Sequence, residues 1–551
     1  MKTITLKRNV FLILFMLLCS VTSVYADNDG LITQQITINV LEPGTLSSKI
    51  SSSQKYKITN LKLRGFLNGD DLKLIREMAG SDYEGHATNG NLSVLDLSEI
   101  KFYYDKTSYY FNRHAANGSG VIYSITSLHE LPEYLFEDCD KLSTLIIPNS
   151  VKRIGLSSLP YKSLTSITLS PDFDNNANDN SVFRGCNNLT TVIFSPLSKL
   201  VSIYGFDDLK KLTYVALPPK LETIAGFSGC TSLVSLDLPS SLKRIAKNAF
   251  ARCKSLTSLT LPSGLEDIGD YAFNGCTGLT SLTNLSSSLK NIGRCAFNNC
   301  TSLTSFALSS NSNLKNIDDE AFRNCKGLTS LTLPSSLENI GTYAFFGCTG
   351  LTSLTILSPL SSSLKMGFSV FEGCTGLTSL TLPSNLESIG SSMFEDCTGL
   401  TSLTLPSWLK SIGNEAFEGC TGLTSLTLPS SLNKLGANAF KNCSGLRSIY
   451  AYRPYPVDFE TKYYVFEGCN DSECILYVPK GAYKRYKENR EFGYFKNIVE
   501  FDPTGIDAVS TNNDAKEVSR YTVDGQQLSA PTKGLNIVKY SDGTMKKVMV
   551  P

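Results

Sequence analysis

Sixteen cysteines, three histidines and fifty carboxylates are the residues of this 551-residue chain that could do covalent, metal or acid–base chemistry. Thiolates act as nucleophiles, disulfide partners or metal ligands, and their spacing separates these roles. From Cys230 the series runs Cys253, Cys276, Cys300, Cys325, Cys348, Cys374, Cys397, Cys420, Cys443 and Cys469, with gaps of 23, 23, 24, 25, 23, 26, 23, 23, 23 and 26. Disulfide frameworks are not periodic, and no Cys-x-x-Cys pair or nearby His supplies the ligand spacing of a metal site. A residue recurring once per repeat sits at one position in each coil of a stack, and small, soft Cys is among the most buried residue types. The series reads as a column of buried free thiols. Bridging between neighbouring coils, whose Cα atoms would sit about 5 Å apart with parallel side chains, is the alternative. Cys295 and Cys474 lie off the column and are the better candidates for a reactive or cross-linked thiol.

His86, His114 and His129 all precede the regular repeats, so no Ser-His-Asp or Cys-His site can draw on the later hydroxyls from within the ladder. Each reads as a surface or cap residue. Nothing matches His-Glu-x-x-His, a P-loop, a Rossmann glycine run or an EF-hand. Asp267, Glu338, Glu387 and Glu415 could form a glycosidase pair only with a geometry that spacing does not supply. The chain is read as non-enzymatic, with no catalytic residue, metal or cofactor. Lys+Arg 51 against Asp+Glu 50 leaves a net charge of +1, too little to hold nucleic acid or an anionic membrane. Apolar residues at 41% suffice for a core, while charged residues at 18% fall below the usual quarter. Hydroxyls and glycine replace the missing charge, as when one short pattern is written many times.

That pattern reads Phe394-Glu-Asp-Cys397-Thr-Gly-Leu400-Thr-Ser-Leu403-Thr-Leu405-Pro406-Ser-Trp408-Leu409-Lys-Ser-Ile412-Gly413-Asn-Glu-Ala416-Phe417. Alternate strand residues face opposite sides, so Leu403 and Leu405 point inward and Ser402 and Thr404 outward. Pro406 ends the strand, Leu409 and Ile412 return to the core, and Gly413 permits a tight bend. Ala416 and Phe417 close a short helical turn over the thiol. One coil cannot bury both its faces, and stacking does so.

The outward pairs Ser258/Thr260, Ser281/Thr283, Ser330/Thr332, Ser353/Thr355, Ser379/Thr381, Ser402/Thr404 and Ser425/Thr427 predict two hydroxyl columns. Either a partner reads them, or they suit an exposed strand and bond to each other across coils. So uniform a face carries little information, which places specificity where the pattern breaks: Ile193, Tyr214, Ala216, Asp237, Ala307, Tyr450 and Tyr452. Candidate partner-binding residues are Tyr214, Asp237, Ser402, Thr404, Ser425, Thr427, Tyr450 and Tyr452. Two aromatic clusters flank the ladder, Phe102, Tyr103, Tyr104, Tyr109, Tyr110 and Phe111 at the start and Tyr450, Tyr452, Tyr455, Tyr463 and Tyr464 at the end. They suit either ligand platforms or the covering of open ends. Trp408 stands in the turn after Pro406, an exposed position.

The repeat resembles the BspA-like, Treponema pallidum type of leucine-rich repeat, known from surface proteins of Bacteroidetes. The fold class it implies is an α/β repeat solenoid: a leucine-rich-repeat stack with one parallel β-sheet, short helical or 3-10 turns, terminal caps and a small C-terminal β module. Residues 1–26 carry Lys2, Lys7 and Arg8, a ten-residue apolar run from Val10 and a Val24-Tyr25-Ala26 end, the form of a secretory signal peptide. The run is far short of the roughly 20 residues of a transmembrane span. Leu18 before Cys19 argues against a lipid-attachment site. Residues 27–130 read as an N-terminal cap region, 131–469 as the solenoid, 470–503 as a C-terminal cap and 504–518 as a linker. Residues 519–551, with turns at Asp524-Gly525 and Asp542-Gly543, are similar to small C-terminal β modules, some of them sorting signals; Asn536 stands where an aromatic is more usual.

The kinship implies a secreted protein, or one on the outer surface of a Gram-negative bacterium. Its function would be adhesion or non-catalytic binding through the concave sheet face. The partner would be a host matrix protein, a bacterial surface protein or a glycan. The second reading is a structural spacer that presents the C-terminal module without a ligand.

Overall fold

The computed structural model describes residues 30–112, 120–174, 182–283, 287–306, 313–357, 364–459, 464–502, 517–522, 527–528, 530, 534–540 and 545–550. The expected signal peptide at 1–26, His114, residues 175–181, Ala307, Tyr463, most of the expected linker at 504–518 and both Asp-Gly turns lie outside them. The chain divides into two compact units, Met1–Cys325 and Lys326–Pro551, each a stack of coils with parallel strands.

In the first unit the strand ladder begins before the regular repeats. Ile36–Val40, Asn60–Leu67 and Val94–Phe102 pair in parallel and continue into Thr144–Ile146, Ser166–Leu169, Thr191–Phe194 and Tyr214–Ala216. The strands before residue 103 thus share the register of the coils that follow. Helix Gly69–Met78 packs beside it, closed at its start by a capping box of Asn68 and Asp71. Arg76 in its last turn is fully buried. Its guanidinium donates to the carbonyls of Tyr134 (3.1 Å) and Leu135 (2.7 Å) and to Ser81 Oγ (3.1 Å), and lies 4.1 Å from the Tyr110 ring centroid. These bonds satisfy a charge that would otherwise be costly to bury.

In the second unit, Ser330–Leu333, Ser353–Ile356 and Ser379–Thr381 form one sheet segment. Ser402–Leu403, Ser425–Leu428, Ser448–Ala451, Ile475–Pro479 and Asn497–Phe501 form another. Leu403 and Leu405 are buried and Ser402 and Thr404 exposed, as alternation requires. Four antiparallel strands, in the order Gln527–Leu528, Glu517–Thr522, Gly534–Tyr540, Met545–Val550, form the C-terminal sheet. There Asn536 is buried and accepts from Arg520 (3.3 Å), which explains a polar residue in place of an aromatic.

The structure is the expected leucine-rich-repeat stack, but with more than one parallel ladder. A second runs through two-residue strands on another side of the coils: Thr223–Ile224, Arg244–Ile245, Asp267–Ile268, Asn291–Ile292 and Asn316–Ile317 in the first unit, and Ser388–Ile389, Ser411–Ile412, Lys434–Leu435 and Asp458–Phe459 in the second. Gly413 follows Ile412 for a different reason from the bend the sequence suggests. A Cβ there would lie 2.7 Å from the Ser391 nitrogen of the preceding coil, so the approach of two backbones demands glycine. On the turn side a third set of bonds runs the opposite way. Asn248, Phe250 and Arg252 donate to the carbonyls of Asp270, Ala272 and Asn274 in the next coil, and Glu415, Phe417 and Gly419 to Ala437, Ala439 and Lys441. Backbone groups on all three sides are therefore paired with neighbouring coils.

Two side-chain columns fill the interior of the turn. Phe206, Phe227, Phe250, Phe273, Phe297 and Phe322 stack with centroids 5.0–5.7 Å apart in the first unit. Phe345, Phe371, Phe394, Phe417, Phe440 and Phe466 stack at 5.3–5.8 Å in the second. Beside them the cysteines are free thiols, and those of the regular column donate to carbonyls rather than fill space passively. Cys253 donates to the Phe227 carbonyl (3.1 Å), Cys276 to Phe250 (3.0 Å), Cys397 to Phe371 (3.3 Å) and Cys420 to Phe394 (3.2 Å). Burial pushes the thiols of Cys253, Cys374, Cys420 and Cys469 up to about 12.

A thiol whose folded pKa is raised contributes stability fully below its unfolded pKa, about 8.5, and loses it as pH climbs toward the folded value. The urea midpoint should therefore fall between about pH 9 and pH 12, and fall less steeply with Cys397→Ala and Cys420→Ala combined. Below that window, iodoacetamide should leave the column unmodified until the chain is unfolded. Phe394→Ala, in mid-column, should lower the unfolding free energy by about 3–5 kcal/mol in urea titration, and Phe394→Leu by less.

Candidate functional site

The outer face of the strand ladder in the second unit is the best-formed candidate surface. Parallel register places Ser402 beside Ser425 and Ser448, and Thr427 beside Tyr450 and Tyr477. Ser402, Thr404 and Thr427 are exposed and Ser425 half-buried, with Ser448 donating to Ser425 Oγ across coils (2.9 Å). Beneath them the interior is closed by Leu403, Leu426 and Ile449. Hydroxyls set at the strand spacing of about 4.8 Å can offer a repeated series of hydrogen bonds.

A different hydroxyl column holds the coils together. The Thr just before each outward Ser turns back onto the preceding coil: Thr280 donates to the Thr257 carbonyl (2.9 Å), Thr304 to Thr280 (3.1 Å), Thr378 to Thr352 (3.1 Å) and Thr424 to Thr401 (3.3 Å). The same bond joins Thr59, Ser93, Ser143, Thr165, Thr190 and Thr213 to their preceding coils. Monotony at that position is structural.

Tyr450 and Tyr452 both point to the outer face but are half-buried. Tyr450 stacks on Tyr477 at 4.5 Å and 4°, and Phe501 stands edge-on to Tyr450 at 6.0 Å and to Tyr452 at 5.3 Å. Burial, followed by the neighbouring Tyr477, raises the Tyr450 phenol pKa above its usual value. The anchor suggested by two tyrosines is thus a four-ring patch. Tyr477 and Phe501 join the patch through the fold: the alternation Ile475-Leu476-Tyr477-Val478 marks Tyr477 as outward, but pairing with Ser448–Ala451 is needed to seat it against Tyr450. Trp408 is 69% exposed.

Tyr214 and Asp237 belong to the first unit. Tyr214 is exposed on Tyr214–Ala216, paired with Thr191. Asp237 is exposed in a stretch without strand structure, between Tyr214–Ala216 and Ser258–Thr260. The interruption coincides with Val234, which replaces the hydroxyl residue of the column and still accepts from Thr257 Oγ1 (3.4 Å). Of the early aromatic cluster, Phe102, Tyr109 and Tyr110 are buried in the cap, while Tyr103 and Tyr104 are exposed. His86 Nδ1 lies 3.1 Å from Asp82 Oδ2, and His129 Nδ1 lies 3.1 Å from the Ser150 carbonyl. Cys295 and Cys474 are free and buried. Among the described residues no group of three His, Cys, Asp or Glu is placed to hold a metal, and no helix is long and apolar enough to cross a membrane.

The family model for the BspA type leucine rich repeat region matches overlapping segments 108–226, 199–326, 225–352, 281–398 and 352–473. These cover more than half of the chain, which belongs to this family of leucine-rich-repeat proteins. Among solved structures, a leucine-rich repeat protein from Bacteroides ovatus is 25% identical, with a TM-score of 0.47 over 72% of this chain and 100% of that one. A leucine rich cell surface protein from Faecalibacterium prausnitzii is 20% identical, with a TM-score of 0.32 over 64% of this chain and 86% of that one. The pneumococcal vaccine antigen PcpA is 18% identical, with a TM-score of 0.34 over 70% and 94%. No curated protein matches the chain.

A stability double-mutant cycle with Tyr450→Ala and Tyr477→Ala should return a coupling of about 0.5–1.5 kcal/mol from the stacked pair. Thr378→Val, which removes one rung of the hydroxyl column that bonds to the preceding coil, should cost about 1 kcal/mol in the same denaturation assay.

Proposed function

We propose that the mature protein begins near Asp27, is exported to the bacterial cell surface or beyond it, and binds a macromolecular partner without catalysis. The contact surface is the outer strand face, from Ser402 and Thr404 through Ser425 and Thr427 to Tyr450 and Tyr452. One observation carries this reading: an exposed hydroxyl array runs into a cluster of aromatic rings on a sheet whose backbone is already paired. Such a surface binds by many weak polar contacts and a few aromatic anchors, and a preformed sheet loses little entropy on binding. The partner classes are host matrix proteins, bacterial surface proteins and glycans. Tyr214 and Asp237 would form a separate contact on the first unit. The segment order proposed is signal peptide at 1–26, N-terminal cap at 27–130, solenoid at 131–469, C-terminal cap at 470–503, linker at 504–518 and a β module at 519–551, the candidate sorting signal.

The test is saturable binding of the 27–551 chain to an array of matrix proteins, mucins and glycans. Tyr450→Ser with Tyr452→Ser should weaken a captured partner by about 10- to 100-fold, with the melting temperature shifted by only a few degrees. Absence of saturable binding to every partner class by the folded chain would favour the spacer reading instead.

A further inference from the structure

The closing segment of the second unit builds a cavity distinct from the strand face. The last repeat turn ends on Phe466, which stacks on Phe440 (5.8 Å) and is covered by Phe492 (5.4 Å) and Phe495 (5.3 Å). Beside it opens a cavity of about 280 Å³ lined by Tyr464, Phe466, Glu467, Arg490, Glu491 and Tyr494. This is close to the smallest volumes usual for ligand sites.

Glu491 is only 8% exposed. Its Oε2 accepts the Val465 N–H at 2.9 Å, which fixes the carboxylate against the end of the stack. Its Oε1 has Arg490 Nε at 4.0 Å, past hydrogen-bond distance, and the Arg490 side chain is 63% exposed. Tyr494 is held by its hydroxyl, which donates to the Cys469 carbonyl (3.2 Å), and Tyr494 and Tyr464 are 40% and 52% exposed as residues. Glu467 supplies a second carboxylate among the lining residues. The lining therefore offers one deeply seated carboxylate oxygen, two tyrosine rings with electron-rich faces and an apolar floor at Phe466. Its charge is two carboxylates against one guanidinium.

We propose that this cavity receives a primary ammonium group on an alkyl stem. The ammonium would donate to Glu491 Oε1 and lie against the Tyr464 and Tyr494 rings, while its methylenes cover Phe466. A cation desolvated between aromatic faces and a carboxylate is held by both attractions. A slender stem fits a cavity of this size. The chemistry is shared by the lysine side chain of a partner polypeptide and by a free alkyl diamine.

The experiment is calorimetric titration of the 27–551 chain, at low salt, with Nα-acetyl-lysine amide, 1,5-diaminopentane and the uncharged control Nα-acetyl-norleucine amide. Saturable binding of either amine, with a dissociation constant on the order of 1 mM, and none of the control supports the site. The tighter of the two amines separates a polypeptide source from a free one. Glu491→Gln keeps an acceptor for Val465 but removes the charge, and should weaken binding at least about tenfold with an unchanged melting temperature. Tyr464→Ser, at the exposed rim, should weaken it several-fold. No saturable heat with either amine, equal affinity for the norleucine control, or undiminished binding by Glu491→Gln would overturn the proposal. The cavity does not include the strand-face residues, so either result leaves the array experiment to be judged separately.

Discussion

No coil of this protein can satisfy its own backbone. A chain of about 23 residues that closes on itself leaves N–H and C=O groups pointing along the stacking axis on every side, and only another coil can pair them. The strand ladder, the two-residue ladder after it and the reversed bonds along the Phe turns meet that requirement on three sides. Once backbone pairing sets the distance between coils, identical side chains must stack. Phenyl rings meet face to face at 5.0–5.8 Å, and the thiols of the regular column fall within reach of a carbonyl one coil back. Regular spacing of Phe and Cys in the sequence follows from the repeat distance of a hydrogen-bonded backbone.

The same constraint makes the ends of a stack the difficult places. At the start, Arg76 reaches from a helix into the turn of the following coil and binds the Tyr134 and Leu135 carbonyls, a fork of donors that suits two acceptors at once. At the finish, Phe492 and Phe495 cover the last ring of the column, and Glu491 accepts the Val465 N–H. Both solutions place an ionic side chain out of water, where it must be held by hydrogen bonds. Charged and aromatic residues therefore gather where the repeat stops, and those are also the positions where the surface offers something other than hydroxyls.

Two kinds of threonine show how one residue type serves opposite purposes. Thr424 turns its hydroxyl onto the coil behind it, whereas Thr427, three residues later, points to solvent. Their surroundings in the primary structure are nearly alike. Glycine divides in the same way: Gly419 occupies left-handed backbone at φ 72°, a conformation that Asp396 and Asn442 also adopt at equivalent positions, while Gly413 is needed because another coil lies against it.

The sequence by itself determined the period, the inward and outward alternation, the strand end at Pro406 and the burial of the thiol column. Each depends on the pleat of a strand or on a spacing that repeats, and local chemistry is enough to read it. It also marked Tyr450 and Tyr452 as a departure from the pattern. Only the tertiary structure decided which hydroxyls bind backbone and which face solvent, that the thiols donate to carbonyls, and that Ile412-Gly413 belongs to a second ladder. It also joined Tyr477 and Phe501 to Tyr450, and brought Glu491 to the side of Tyr464. These relations link residues more than 20 positions apart, and Tyr450 meets Tyr477 across a coil of irregular length. The register between coils follows from how their interiors pack and their backbones pair, which no single coil encodes.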